Sequence, residues 1–267
     1  MRRLRTVIIA VLLLAGAALP GVGQDYSMPA PVQLLGAGSV GGAYGAERAP
    51  EVRVFGWSAD GKLAYVTVAV AEFKGSMIFR YIVFDAVTDT VVWELEDDSE
   101  EWRGADAGSG GGPDPGGAED GREPTEISWA RNEETVTRKL AEFGIVQQPV
   151  REVRRFPSTL DGERYAAVVR TVSEPDPYNG TPYGETPYPD TLASYTLTLR
   201  SDRRGDKGVT HQEEVYGVSV WVEGYLLSPF EPRMAILVGR RSMQFEMTPE
   251  VRYRFFGSNL EVGFPEE

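Results

Sequence analysis

The chain has 267 residues, no cysteine and a single histidine, and its 40 acidic side chains outnumber its 27 basic ones, giving a net charge of −13. Without cysteine it can form neither disulfides nor thiolate metal sites, and one histidine leaves little room for serine–histidine catalysis. The negative charge repels phosphate backbones and anionic lipid surfaces, which disfavours nucleic-acid binding and peripheral membrane roles. A chain of this length can bury a core large enough to fold without disulfides.

The N-terminus has the pattern of a secretory signal peptide. Its first five residues include three arginines, and residues 7–19 are apolar or small throughout. This apolar stretch of about 13 residues is shorter than the ~20 needed to span a bilayer. We therefore expect residues 1–23 to be removed on export, leaving no stable membrane anchor. The exported chain, periplasmic or extracellular, would carry a charge of −16, because the segment removes three arginines and no acid.

A lead-in and a first group of strands follow. Residues 24–50 are rich in glycine, alanine and proline and have no apolar period, which predicts a flexible lead-in. Over residues 51–96, β-branched and aromatic runs alternate with turn signals such as Asp60-Gly61 and Lys74-Gly75. This pattern predicts four short strands in an antiparallel meander.

Residues 97–124 combine many glycines and acids with few apolar side chains. Burial could not offset the entropy lost on ordering them, so we expect a disordered acidic insert. A calcium loop is the functional alternative, but the acids do not follow the Asp-x-Asp-x-Asp-Gly spacing. Four clustered acids also raise the alternative of a carboxylate-dependent hydrolase, although a solvated insert would not hold two carboxylates at a fixed separation; they are Asp97, Asp98, Glu100 and Glu101.

One amphipathic helix is predicted at about 126–143, with Thr125 as its N-cap and Gly144 at its end. Four apolar side chains recur at helical spacing on one face: Trp129, Val136, Leu140 and Phe143. The opposite face is charged, with Arg131, Glu134, Arg138 and Glu142. We expect the apolar face to pack on a sheet.

The rest of the chain returns to strand patterns and belongs, with this helix, to one region over residues 125–264 of the same domain. Turn signals separate apolar, β-branched runs at 164–172, 192–200, 214–222, 225–227, 233–238, 243–247 and 251–256. The predicted fold class is mainly β, with antiparallel meanders arranged as propeller-blade-like sheets or as a sandwich, plus the one helix.

Three segments each combine a serine, an acid two or three residues later, a turn and an apolar strand; they begin at Ser58, Ser158 and Ser228. The first of them, continued to residue 93, resembles one blade of the Tol-type and WD-type β-propeller repeats. Those blades have a Ser-Pro-Asp-Gly-Lys turn, in which Ala59 here replaces the proline, and Asp89 stands where a later glycine would be. The segments begin 100 and then 70 residues apart, whereas a closed propeller needs about four blades of ~40 residues.

Three motifs in order carry a second resemblance. They are Phe-Gly-Trp-Ser-Ala-Asp-Gly at 55–61, Phe-Gly-Ile at 143–145 and Gly-Tyr-Leu-Leu-Ser-Pro-Phe-Glu-Pro-Arg at 224–233. Together they resemble a family of secreted bacterial proteins of unknown function over most of residues 51–240. The resemblance implies export and transfers no catalytic residue.

Residues 174–190 repeat Pro-Tyr every five residues. The prolines favour an extended backbone, on which Tyr178, Tyr183 and Tyr188 could stack on sugar rings or insert into a partner's pocket. A stiff loop between two strands is the structural alternative. These three tyrosines are the binding candidates that the sequence offers.

The sequence predicts no catalytic residue, no metal ligand and no cofactor. The leading hypothesis is an exported, noncatalytic β protein that binds a protein partner in the cell envelope or outside the cell. The alternatives are a carbohydrate-binding module that uses the three tyrosines and a carboxylate-dependent hydrolase.

Overall fold

The computed structural model describes residues 24–34, 50–71, 76–106, 122–174, 191–209, 219–242 and 250–265. Within these ranges the chain forms twelve strands, grouped in three antiparallel sheets, and two helices. The predicted signal peptide lies outside the described residues. The prediction of a mainly β fold built from antiparallel meanders is confirmed.

The first sheet contains the predicted meander and one added short strand. Its strands are β1 (Glu51–Trp57), β2 (Lys62–Ala71), β3 (Ser76–Asp85), β4 (Thr90–Asp98) and β5 (Val146–Gln147), in the order β4-β3-β2-β1-β5. Two helices, α1 (Ser99–Asp106) and α2 (Pro124–Glu142), come between β4 and β5 in the chain.

Two further sheets follow. The second sheet contains β6 (Ser158–Leu160), β7 (Glu163–Glu174), β8 (Thr191–Ser201) and β9 (Gly205–Gly208) in chain order. The third sheet contains β10 (Ser219–Leu227), β11 (Arg233–Ser242) and β12 (Glu250–Asn259), also in chain order. Strand β9 lies where a turn was predicted. The predicted strand at 243–247 and the start of the one at 214–222 lie outside the described residues.

The third sheet lies between the other two. Alternate side chains of β11 point to opposite faces of the sheet, so Leu237 packs with Tyr65 of the first sheet and Ile236 packs with Leu197 of the second. On the far side of the first sheet, α2 is seated against the sheet by two fully buried side chains, Val136 and Leu140. The layers are therefore helix, first sheet, third sheet and second sheet. No sheet of the described residues closes into a propeller.

The predicted helix is present, but it begins one or two residues earlier than predicted. Its N-cap is Glu123, which makes no side-chain capping bond, and Pro124 occupies the first turn; the prediction that Thr125 is the N-cap was wrong. A proline is favourable in the first turn because its fixed φ suits a helix and its missing N–H would have no partner there. The predicted charged face is exposed, and residues of the predicted apolar face are buried or half-buried.

Helix α2 ends at Glu142 with Phe143 as its C-cap, and Gly144 terminates it as predicted. Gly144 has a φ of 64° and its N–H donates to Ala141 O at 3.0 Å, while Ile145 N donates to Leu140 O at 2.9 Å. These two bonds form a Schellman motif, and the hydrophobic contact that accompanies it joins the buried side chains of Leu140 and Ile145.

The predicted insert does not begin at Asp97. Residues 97–98 complete β4, and residues 99–106 form α1. The indole of Trp102 stacks on Phe79, with ring centroids 5.7 Å apart, and Met77 N donates to Ser99 Oγ at 2.7 Å. One aromatic side chain thus anchors a stretch whose glycines and acids predicted disorder. Residues 107–121 lie outside the described part of the chain.

Residues 24–34, which we name the N-terminal strap, contact the first sheet. Val32 N donates to Val52 O at 2.7 Å, the Val32 side chain is 5% exposed, and Tyr26 OH donates to Ile145 O at 2.7 Å. The composition of residues 24–50 predicts a flexible lead-in, and no alternation of apolar residues indicates these contacts. The strap extends along the edge of β1 that β5 leaves uncovered.

Two glycines allow the chain to approach β1 and β10 closely. At Gly56 and at Gly224 the register of each strand shifts, and a Cβ there would lie within 3.0 Å of the backbone oxygen of Val146 or Arg154. Residues 145–155, which we name the connector, pass both points. Gln148 N donates a hydrogen bond to β1 of the first sheet, and Tyr225 N of β10 donates to Arg154 O at 2.9 Å. The connector therefore ties the first sheet to the third.

The first and last of the three serine-led segments form similar turns. Ser58 N donates to Lys62 O at 2.8 Å, and Ser228 N donates to Arg233 O at 2.9 Å. In both turns an acid pairs with the base two residues later, and a strand follows. The segment at Ser158 differs, because its serine begins β6.

Candidate functional site

The candidate tyrosines Tyr178, Tyr183 and Tyr188 lie outside the described residues, as does His211. Of the four clustered acids, Asp97 and Asp98 end β4, and the other two lie in the first turn of α1. Asp98 Oδ1 accepts the Glu100 N–H at 2.9 Å and so caps α1.

Asp97 is held at the centre of a polar cluster between the first sheet and the two helices. Trp102 Nε1 donates to its Oδ1 at 2.7 Å, while Ser128 Oγ and Asn132 Nδ2 donate to its Oδ2 at 2.6 and 2.9 Å. The expectation that this carboxylate lies in a solvated insert is therefore wrong. Both of its carboxylate oxygens accept hydrogen bonds that join α1 and α2 to β4, so the role of Asp97 is structural.

Ser128 is fully buried, and its hydroxyl also lies 2.9 Å from the hydroxyl of Tyr81. Burial raises the pKa of Tyr81 to about 12; the hydrogen bond with Ser128 opposes the rise and the charge of Asp97 adds to it. Tyr81 therefore keeps its proton at physiological pH. A serine without solvent access cannot attack a substrate, so the cluster does not form a nucleophilic site.

Replacing Asp97 with alanine is expected to destabilise the fold by about 1–3 kcal/mol, because Ser128, Trp102 and Asn132 would all lose an acceptor. Urea denaturation measures the change. Glu101→Ala is the control, since Glu101 is an exposed acid of α1, four residues after Asp97, and should cost within about 0.5 kcal/mol. Equal effects of the two substitutions would contradict the structural role of Asp97.

A groove of about 780 Å³ opens beside the start of α2, on the helix-covered face of the first sheet. The strap, the ends of β1, β2 and β3, and the first turn of α2 line it. Its apolar lining consists of Met28, Val68, Ala69, Met77, Pro124 and Trp129.

Charged side chains lie around this apolar lining. Glu51 and Arg53 come from β1, while Glu123 and Glu126 come from the start of α2. Arg53 is already bound, because its Nε and Nη2 donate to Glu51 Oε2 at 3.0 and 2.7 Å and its Nη1 donates to Pro29 O at 3.0 Å. The remaining carboxylates, on Glu123 and Glu126, are exposed.

The described lining of the groove offers mainly apolar surface and a few charged groups. Among the described residues that line it, Thr125 is the one hydroxyl residue, and there is neither histidine nor lysine. Its apolar floor and few polar groups are typical of binding sites. Sequence reasoning missed the groove, because its lining residues come from four separate parts of the chain.

A buried carboxylate lies in the second sheet. Glu163 is 6% exposed; it accepts a hydrogen bond from Ser201 Oγ and lies 3.3 Å from Arg204 Nε. Burial alone would raise the pKa of Glu163, but hydrogen bonds from Ser201 and Tyr165 and the charges of Arg204 and Arg203 outweigh it and lower the pKa. The arrangement joins β7 to the turn after β8.

The lowered pKa of Glu163 predicts a loss of stability in acid. An ionised Glu163 contributes to stability above its ordinary pKa of 4.5, and the contribution disappears as the pH falls through the lower pKa of the folded state. Wild type should therefore lose more stability than Glu163→Gln when the pH is lowered from about 5 to about 3 in denaturation experiments. Glu133→Gln, at an exposed position, should follow the wild-type curve; identical curves for all three would contradict the prediction.

The part of the chain that the structure describes has no group of three or more acidic or histidine side chains placed to bind a metal ion. Neither of its helices is both long and apolar enough to cross a membrane. Comparisons of the chain with protein-family models, with curated proteins and with solved structures found no match.

Proposed function

We propose that this chain is an exported, noncatalytic binding protein that holds a segment of a partner protein in the groove beside the start of α2. The observation that carries the proposal is the groove itself, with an apolar floor and a charged rim among the described residues of its lining. Export is supported by the N-terminal sequence pattern.

The size and lining of the groove support a peptide as the occupant. Its volume of about 780 Å³ falls within the ~300–1,000 Å³ typical of sites for organic ligands and is far larger than a site for one ion. Met28 and Met77 are flexible side chains that can adapt to a varied apolar surface. Trp129 offers a large aromatic surface beside them, and aromatic side chains dominate many protein interfaces.

The proposal is tested by placing a photo-crosslinking residue at Thr125, inside the groove, in the full chain expressed in its own cells. A protein adduct is expected. The matched control carries the same residue at Arg138, on the exposed face of α2, where no adduct is expected. An absence of adducts at Thr125, or the same adducts at both positions, would overturn the proposal.

A further inference from the structure

We propose that the segment held in the groove is basic, with a lysine or arginine next to apolar side chains. This inference rests on the proposed function and adds the chemistry of the partner. Its starting point is the balance of charge among the described residues that line the groove, where the carboxylates of Glu51, Glu123 and Glu126 accompany one cation, Arg53.

Arg53 does not offset the acids of α2. Its side chain is 15% exposed and is bound by Glu51 and by the strap, so it is not free to attract an anionic ligand. No ion pair engages Glu123 or Glu126 within the described residues, and both are exposed at the rim of the groove. A cation entering there would meet two carboxylates that are open to solvent.

The N-terminus of a helix usually favours anions, but here three of its first four positions offer no free N–H, and only that of Thr125 remains. Pro124 has no N–H, and the N–H groups of Glu126 and Ile127 donate to Glu123 O at 2.9 and 3.2 Å. The carboxylates in and beside the first turn complement the helix dipole themselves. An anionic ligand would face these carboxylates, so a phosphate or an acidic peptide is disfavoured.

Trp129 provides the aromatic part of the site. It lies one helical turn after Glu126, so the two side chains are neighbours on the helix surface. Its ring is held against Phe55, with centroids 5.7 Å apart. An ammonium or guanidinium group could therefore contact the indole face and the carboxylate together, while neighbouring apolar side chains pack on the half-buried Met28 and Met77.

The test uses fluorescence anisotropy with the purified exported chain and three labelled peptides of equal length, in which leucine alternates with lysine, serine or glutamate. We expect the lysine peptide to bind most tightly. The double substitution Glu123→Lys and Glu126→Lys should weaken its binding by about tenfold or more. The matched control, Glu133→Lys with Glu134→Lys, changes the net charge equally at exposed positions on the same helix and should leave binding near the wild-type value. Melting temperatures verify that both variants fold.

Equal weakening by the two double variants would show that the lysine peptide responds only to the overall negative charge, and the inference would fail. It would also fail if the serine peptide bound as tightly as the lysine peptide. Cross-linking at Thr125 separates this failure from that of the proposed function. An adduct there without a preference for the lysine peptide would leave the groove as a binding site and reject a basic partner; no adduct and no peptide binding would reject both.

Discussion

Replacing Gly56 with alanine is expected to destabilise the fold by about 3 kcal/mol or more, the sum of backbone strain and overpacking. Gly56 has a φ of 150°, and a Cβ there would overlap the backbone oxygen of Val146. Because the obstructing atom belongs to the backbone, no change of rotamer can relieve the clash. Chemical denaturation of the purified exported chain measures the loss.

Two other glycines make this prediction specific. Gly224→Ala should also be costly, since its Cβ would come within 3.0 Å of Arg154 O and of the Val153 side chain. Gly144→Ala should cost only about 1–2 kcal/mol, because its φ of 64° is unfavourable for alanine but no atom lies within 4 Å of the added Cβ. If Gly56→Ala cost no more than Gly144→Ala, the close approach of the connector to β1 would be contradicted.

Leu140→Ala is expected to cost about 2–5 kcal/mol, the range for removing a large apolar side chain from a core. Leu140 is 1% exposed and packs in the cluster that joins α2 to the first sheet. A helix of this length has only marginal stability of its own in water, so its order depends on this burial. Urea denaturation measures the effect.

The control is Arg138→Ala on the exposed face of the same helix, which should change stability by no more than about 0.5 kcal/mol. If both substitutions were nearly neutral, α2 would not contribute to the core. Its apolar face would then be available to a partner, and the groove would no longer be bounded by a fixed helix.

The sequence predicted the parts of the fold that local patterns specify. The turn at Asp60-Gly61 and the flanking alternation placed β1 and β2, and the spacing of Val136 and Leu140 gave the buried face of α2. Local patterns do not decide whether the sheets stack as propeller-like blades or as a sandwich. The unbroken apolar run of Met234–Val238 is typical of a strand buried on both faces, and this signal could have placed β11 in the middle layer.

Patterns that depend on distant residues were missed. The bulge at Gly56 places Trp57 in the same cluster as Val54, which simple alternation does not predict. The ordered helix α1 had a local signal, because Asp98 caps it and Trp102 gives it one apolar anchor. The many glycines after residue 103 outweighed that signal.

The candidate site could not be predicted from the sequence for a different reason. Met28, Arg53, Met77 and Glu123 have no shared motif or spacing, and the strap, two strands and a helix bring them together. The tyrosine repeat, in contrast, is a conspicuous local pattern, and the binding role predicted for Tyr178, Tyr183 and Tyr188 stays a prediction.

The connector also determines which amide protons should exchange together with solvent. Gln148 N and Tyr225 N are bonded at its two ends, one at each glycine bulge. Because residues 145–155 are a single short stretch, detaching it exposes both amides in the same opening event, and native-state hydrogen exchange should give them similar opening free energies. A much faster exchange at one of the two amides would show that the first and third sheets open separately.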